Sequence, residues 1–183
     1  GVDGNKEQRW PDGSLKRKAH KQKNWDNAIP TKQYFDELFR VSKNQVIFGG
    51  NYFTEYLKPT KAWIFWYKGQ KGLTMSDGEM AWTSLKKVTR MFDLHRTHLW
   101  QEKQQHPTQK PIKLYEWVLK NYAEPNQKII DTHLGSGSIA IAIDAMNKIE
   151  KMNLTLTACE LDKDYFKNTT ERIIEQTKWN SLF

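Results

Sequence analysis

The amino-acid sequence predicts an α/β fold with a mostly parallel sheet flanked by helices. Apolar patterns between Pro111 and Ile173 read in the order helix, strand, helix, strand, helix. Strands that alternate with helices in this way pair in parallel, through right-handed crossovers. The chain has 183 residues, of which 38% are hydrophobic and 13% aromatic. That length favours a single domain over residues 1–183, and the aromatic content excludes an intrinsically disordered chain.

The first half of the chain contains one helix pattern and four strand patterns. Pro30-Thr31 is a helix start signal, and apolar residues at helical spacing follow it up to Val41. Gly49-Gly50 closes the first apolar run of strand length. The predicted strands are residues 46–48, 62–67, 79–84 and 88–94, with a turn at Lys86-Lys87 between the last two.

The second half continues with alternating helices and strands. Pro111 suits the start of a helix, because the N–H that proline lacks has no partner in the first helical turn. Strands are predicted at 128–131 and 154–159, with a Gly-rich turn and an apolar-striped helix between them. The last helix is predicted to bury one stripe of side chains, namely Tyr165, Phe166, Thr169 and Ile173.

The chain is basic, and much of the excess lies at its start. It carries 29 Lys and Arg against 21 Asp and Glu, which gives a formal net charge of +8. The first 25 residues hold seven of these cations against three acids, with no apolar periodicity and a turn signal at Pro11-Asp12-Gly13. We expect residues 1–26 to form a basic loop that contacts nucleic-acid phosphates through Lys16, Arg17, Lys18 and Lys21, and a solvated loop is the alternative.

Several kinds of site are not favoured. No apolar run approaches the roughly 20 residues that span a bilayer, so no membrane partner is expected. The single Cys159 excludes an internal disulfide framework and fits a reducing, cytoplasmic compartment. His95, His98 and His106 lack further ligands at metal-binding spacing, so we expect no metal.

A Gly-rich turn, residues 131–137, lies between the strand at 128–131 and the next helix. Gly135 and Gly137 let the backbone turn sharply and approach a ligand closely. Glu160 ends the next strand, where a carboxylate can accept hydrogen bonds from both hydroxyls of a ribose. This register predicts a site for an adenine nucleoside or nucleotide, which a dinucleotide-binding fold would share.

Asp131 separates the candidate cofactors. A carboxylate just before the first glycine of the turn attracts an ammonium group and repels a pyrophosphate. It therefore favours S-adenosylmethionine over NAD. The alternative is that Asp131 is a plain helix-cap or turn residue.

The second half of the chain contains three motifs: the hexapeptide His106-Pro107-Thr108-Gln109-Lys110-Pro111, the turn at 131–137 and Glu160-Leu161-Asp162. They resemble, in this order, the motif that precedes the cofactor strand, the first cofactor motif and the following acidic motif of the DNA N6-adenine and N4-cytosine methyltransferases. The basic loop, the first helix and the segments at 46–53, 61–69 and 73–84 resemble phage and prophage members of this family. By this resemblance S-adenosylmethionine is held by His106, Pro107, Thr108, Gln109, Lys110, Asp131, Thr132, His133, Gly135, Ser136, Gly137, Glu160 and Leu161.

The resemblance also implies a fold, a segment order and an activity. The fold is the Rossmann-like fold of S-adenosylmethionine-dependent methyltransferases, in the permuted beta-type order. Residues 27–68 then belong to the catalytic half, 69–105 to the target-recognition region and 106–183 to the cofactor-binding half. The implied activity is methylation of the exocyclic amine of adenine, less often cytosine, in double-stranded DNA. The alternative is an inactive paralogue that binds cofactor or DNA.

Two departures from the family pattern accompany these motifs. Thr132-His133 stands where the family has Pro-Phe. The catalytic tetrapeptide, an Asp, Asn or Ser followed by Pro-Pro and an aromatic residue, occurs nowhere in the 183 residues, so no catalytic residue is assigned. We expect the N-terminal strand that carries it to be missing between the strands at 128–131 and 45–48, and an upstream segment of roughly 30–60 residues to supply it. We therefore also expect that the 183 residues alone do not methylate DNA.

Overall fold

The computed structural model of the protein describes residues 8–9, 12, 15–17, 29–95, 97–102, 106 and 108–179, with backbone alone at 8–9, 15–17, 100 and 179. Its contacts divide the chain into one unit of residues 1–41 and a second unit of residues 42–183. None of the helices in the described part of the chain is long and apolar enough to cross a bilayer.

The first unit contains a short hairpin and one helix. β1 (Gln8–Arg9) and β2 (Leu15–Arg17) pair antiparallel, and Asp12 lies in a turn between them. The expectation of a plain loop was therefore wrong at these residues, because local antiparallel pairing needs no apolar periodicity. α1 (Lys32–Val41) follows Pro30-Thr31 as predicted. An ion pair between Lys32 and Asp36 bridges one turn of this helix at 2.7 Å.

The second unit contains a four-stranded mixed sheet in the order β3-β5-β4-β6. Its strands are β3 (Val46–Phe48), β4 (Trp63–Tyr67), β5 (Gly78–Thr83) and β6 (Arg90–Asp93). β5 runs antiparallel to β3 and β4, whereas β6 pairs in parallel with the other edge of β4. The turn predicted at Lys86-Lys87 therefore joins strands that are not partners. The indole of Trp66 supports the position of β6, because its Nε1 donates to the carbonyl oxygen of Leu94 at 2.9 Å.

The remaining strands form the predicted parallel pair. β7 (Lys128–Asp131) and β8 (Thr155–Ala158) align residue by residue, and α4 (Ser138–Ile149) connects them. α5 (Lys163–Trp179) follows β8. Within the described ranges, β7 has no second partner strand, and no strand joins it to β3.

α3 (Ile112–Tyr122) connects the two sheets through its two apolar faces, and Pro111 stands at its N-cap as predicted. Leu119 packs with α4 and β8 residues in one core cluster, whereas Leu114, Val118 and Tyr122 pack with Ile64 of β4 in another. A short helix, α2 (His98–Gln101), precedes the hexapeptide. Burial of α3 on both sides thus fixes the end of the hexapeptide against both sheets.

One predicted buried position on α5 was wrong. Phe166 leaves 53% of its surface exposed, whereas Thr169 is buried. Arg172 is buried instead, because it follows Tyr165 and Thr169 at the i, i+4, i+7 spacing of one helix face, whereas Phe166 lies beside that stripe.

Candidate cofactor site

Asp131 ends β7 at the edge where the parallel strands β7 and β8 finish together. The amide of Cys159 donates to the carbonyl oxygen of Asp131 at 2.9 Å, and the amide of Leu134 donates to that of Cys159 at 2.9 Å. The side-chain Oδ1 of Asp131 accepts from the amide of His133 at 2.9 Å. The carboxylate is therefore held in place by the turn that follows it.

The loop at 132–137 turns through two glycines with positive φ. Gly135 has φ of 54° and Gly137 has φ of 74°, a region in which side chains other than glycine are strained. A Cβ on Gly137 would lie 2.7 Å from Cγ2 of Thr169 and 2.9 Å from Cδ1 of Ile173. Helix α5 thus packs directly onto the loop and requires glycine at this position.

Glu160 follows β8 and holds the same loop from the other side. Its Oε2 accepts from the amide of Gly135 at 2.9 Å, and its Oε1 accepts from the amide of Asp162 at 2.9 Å. A carboxylate offers about four lone-pair directions, so each oxygen keeps capacity for a further donor. Leu161, the next residue, leaves 89% of its surface exposed.

The hexapeptide comes close to the loop through His106. The imidazole is buried, packs on the ring of Tyr165 with 4.4 Å between centroids, and reaches within 3.9 Å of a Cβ built on Gly135. Its Nδ1 accepts from the amide of Thr108 at 3.2 Å. His106 therefore belongs to the wall of the loop.

Lys110 brings a positive charge to the ends of the strands. Its Nζ lies 4.9 Å from the ring centroid of Phe48 and 3.9 Å from Oε2 of Glu79, a carboxylate that also pairs with Lys68. Burial lowers the pKa of Lys110, and the charges of Glu79 and Asp131 oppose that shift. Burial raises the pKa of Asp131. The amide and the ring of His133 and the charge of Lys110 oppose this rise. Lys110 and Asp131 are thus close enough to interact electrostatically.

His133 and Thr132 occupy the start of the loop. His133 is exposed, and its Nδ1 lies 2.9 Å from Oγ1 of Thr132. The two residues that depart from the family pattern therefore bond to each other next to Asp131.

Two residues that the sequence analysis missed lie beneath the loop. Arg172 of α5 donates from Nη1 to the carbonyl oxygen of Ser136 at 2.6 Å, and its Nη2 lies 3.4 Å from Oε2 of Glu102. The sequence offered one signal for this pair. Arg172 lies among the apolar residues of α5, and a buried Arg usually has a charged partner.

The structure brings most of the predicted cofactor residues together. Asp131, the loop and Glu160 surround the strand ends, with His106 and Lys110 beside them, while Gln109 is buried and Ser136 lies at 3.1 Å from Ser138 Oγ. Lys16 and Arg17 lie on β2, and their side chains are outside the described part. Pro107, Lys18 and Lys21 lie outside the described residues altogether.

Several solved structures have a similar fold. M1.HpyAVI in complex with SAM has a TM-score of 0.58 and 20% identity, over 78% of this chain and 81% of that one. A second structure of M1.HpyAVI has a TM-score of 0.53 and 16% identity, over 84% of both chains. TTHA0409 of Thermus thermophilus, named as a candidate DNA modification methylase and complexed with S-adenosyl-L-methionine, has a TM-score of 0.52 and 13% identity, over 80% of this chain and 75% of that one.

At these identities the structures show the fold alone, and they confirm the Rossmann-like methyltransferase fold. No curated protein matches the chain significantly. The family assignment therefore comes from the profile of the DNA methylase family, which matches residues 11–172. Because that match covers most of the 183 residues, the chain belongs to the DNA methylase family of N6 and N4 methyltransferases, as its hexapeptide and Gly-rich turn predict.

Proposed function

We propose that this chain binds S-adenosylmethionine at the strand ends formed by Asp131, the 132–137 loop and Glu160, for methylation of an exocyclic amine in double-stranded DNA. One observation carries the proposal. Two carboxylates flank a glycine loop at the shared end of two parallel strands, and both are fixed by backbone amides. Ligands bind at the carboxyl ends of strands in open parallel sheets.

The donor set suits each part of this cofactor. Asp131 provides a negative charge for an ammonium group, and Lys110 provides a positive charge for a carboxylate. Glu160 has lone pairs for ribose hydroxyls, and the exposed Leu161 beside it offers an apolar face for adenine. His106, Thr108 and Gln109 stay in this proposal as the wall of the site. Pro107, Thr132, His133 and Ser136 remain predicted cofactor residues.

The cofactor supplies an activated methyl group, and the chain's residues bind and orient it. The exocyclic amine of a base is a poor nucleophile, because its lone pair is delocalised into the ring. Methylation therefore depends on extruding the base and orienting its amine toward the methyl group. The target that we propose is adenine, with cytosine as the second candidate.

Substitution of Glu160 tests the proposed ribose contact. Glu160→Gln keeps one oxygen acceptor and removes the charge, so we expect S-adenosylhomocysteine to bind about 1–3 kcal/mol more weakly, as for a hydrogen bond to a charged group. Isothermal titration with S-adenosylhomocysteine and its 2′-deoxy analogue checks this. The analogue should bind more weakly than the parent to the unmodified protein, and the gap should shrink in the variant. An equal gap in both proteins would remove Glu160 from the ribose site.

The basic segment is proposed to bind DNA phosphates. Neutralising Lys16, Arg17, Lys18 and Lys21 together is expected to weaken duplex binding and to reduce its salt dependence by a slope of about 0.9 for each lost contact. Fluorescence anisotropy over a series of salt concentrations measures that slope. Neutralising four exposed lysines of the cofactor-binding half, Lys128, Lys151, Lys167 and Lys178, is the control matched for net charge. A slope reduced equally by both variants would contradict specific contacts by residues 16–21.

A binding module without catalysis is the second candidate, and the observation that favours it is the absence of the family's tetrapeptide from the 183 residues. Transfer of tritium from labelled S-adenosylmethionine to unmethylated duplex DNA, compared between this chain and the chain extended by the expected upstream segment, separates the two functions. Only the enzyme labels the DNA, and nucleoside analysis of the product identifies the base.

A further inference from the structure

A buried Arg–Glu pair lies beneath the proposed cofactor site. The side chain of Arg172 is only 1% exposed, so it cannot contact a ligand in the site. It donates from Nη1 to the carbonyl oxygen of Ser136 at 2.6 Å and to Oγ of Ser138 at 3.1 Å. Arg172 thus holds the end of the Gly-rich loop and the first residue of α4.

The partner carboxylate connects Arg172 to the hexapeptide. Oε1 of Glu102 accepts from the amide of Ile112 at 2.9 Å, which caps the first turn of α3. Ile112 directly follows Pro111, the last residue of the hexapeptide. One carboxylate therefore links α3 and the hexapeptide to the guanidinium that holds the loop.

The chemistry of this pair indicates that it fixes the positions of its neighbours more than it adds stability. Burial raises the pKa of Glu102, whereas the amide of Ile112 and the charge of Arg172 oppose that shift. Removing two charges from water costs free energy, and apolar replacements of a buried ion pair are often equally stable. A planar guanidinium, however, directs several hydrogen bonds at fixed angles, which an apolar side chain or a lysine does not.

We propose that Arg172 and Glu102 are positioning residues that fix the Gly-rich loop against the hexapeptide, so that both segments reach the same ligand. The loop end and the residue directly after the hexapeptide lie at the two ends of one hydrogen-bonded chain, from Ser136 through Arg172 and Glu102 to the amide of Ile112. This inference rests on the proposed function, because it assigns the cofactor to both segments. Loss of the pair is expected to loosen the loop locally while the rest of the fold stays intact.

Two conservative variants and one control test the role. Arg172→Lys keeps the charge but loses the fork, and Glu102→Gln keeps an oxygen acceptor for Ile112 but loses the charge. Glu171→Gln removes the same charge from an exposed position one residue earlier on α5. We expect Arg172→Lys to weaken the binding of S-adenosylhomocysteine by about 10- to 100-fold, and Glu102→Gln to weaken it by a smaller factor. Glu171→Gln should leave the affinity unchanged. The double variant should be weakened by less than the product of the single factors, because both act on one contact.

Hydrogen exchange in the ligand-free protein supplies a second measurement. Amides of residues 135–138 should exchange faster in both variants, whereas amides of β4 and β5 should not change, which a general loss of stability would not produce. Faster loop exchange decides for the positioning role even if S-adenosylhomocysteine fails to bind the unmodified protein, an outcome that would overturn the proposed function alone. Unchanged affinity together with unchanged loop exchange in both variants overturns the inference. If Arg172→Lys does not fold, Glu102→Gln decides by the same two measurements.

Discussion

Replacement of Gly137 by alanine is expected to lower the free energy of unfolding by about 2–5 kcal/mol and to abolish binding of S-adenosylmethionine. The left-handed backbone at φ of 74° costs about 1–2 kcal/mol for any residue with a Cβ. The new methyl group would also lie 2.7 Å from Cγ2 of Thr169 and 2.9 Å from Cδ1 of Ile173, and such overpacking adds about 1–3 kcal/mol. Relief of the clash moves the loop away from α5. In that displaced position of the loop, Glu160 and Asp131 no longer face the same ligand. Urea unfolding and isothermal titration measure the two effects.

Gly72 offers a matched control for this substitution. It also has positive φ, at 82°, but a Cβ there would meet nothing within 4 Å. Gly72→Ala is therefore expected to cost about 1–2 kcal/mol from the backbone alone and to leave cofactor binding unchanged. Equal losses in the two variants would show that α5 does not press on the loop.

Local patterns predicted the elements whose residues are neighbours in the sequence. β7 has the predicted bounds at 128–131, and α3 begins directly after Pro111, because apolar alternation and helix caps act over a few residues. The partner of β6 was beyond such patterns. Its parallel alignment with β4 depends on contacts such as Trp66 with the Leu94 carbonyl, which lie 28 residues apart. Tertiary contacts therefore determine the strand order of the mixed sheet.

The candidate site divides in the same way. Asp131, Gly135, Gly137 and Glu160 could be predicted because each follows directly from the end of a strand, where a turn must approach any ligand. Arg172 and Glu102 could not be paired from the sequence, since they are 70 residues apart. Glu102 lies in a polar stretch without apolar periodicity, and its partner is brought to it only when α5 packs on the Gly-rich loop.

Replacement of Asp131 by asparagine is expected to weaken the binding of S-adenosylmethionine by about 10- to 100-fold. The same substitution is expected to stabilise the protein at neutral pH. The amide keeps the oxygen that accepts from His133, so the turn is preserved, but the negative charge for the ligand's ammonium group is lost. Adenosine, which has no ammonium group, should bind both proteins equally. If the variant loses as much affinity for adenosine as for S-adenosylmethionine, Asp131 acts on the loop and not on the ammonium group.

The gain in stability follows from the pKa of Asp131. Burial raises this pKa above the ordinary value, although the amide of His133 and the charges of His133 and Lys110 oppose the shift. The folded protein therefore holds the proton more tightly than the unfolded chain, and the contribution of this carboxyl to stability falls as pH rises from the ordinary Asp pKa through the raised one. An asparagine side chain cannot ionise, so the difference in melting temperature between the Asp131→Asn variant and the unmodified protein should be smallest in acid and should increase toward pH 7. Asp93→Asn removes the same charge from an exposed position at the end of β6 and is the control for net charge. A variant that is less stable than the unmodified protein at neutral pH would show that ionised Asp131 is needed by the fold itself.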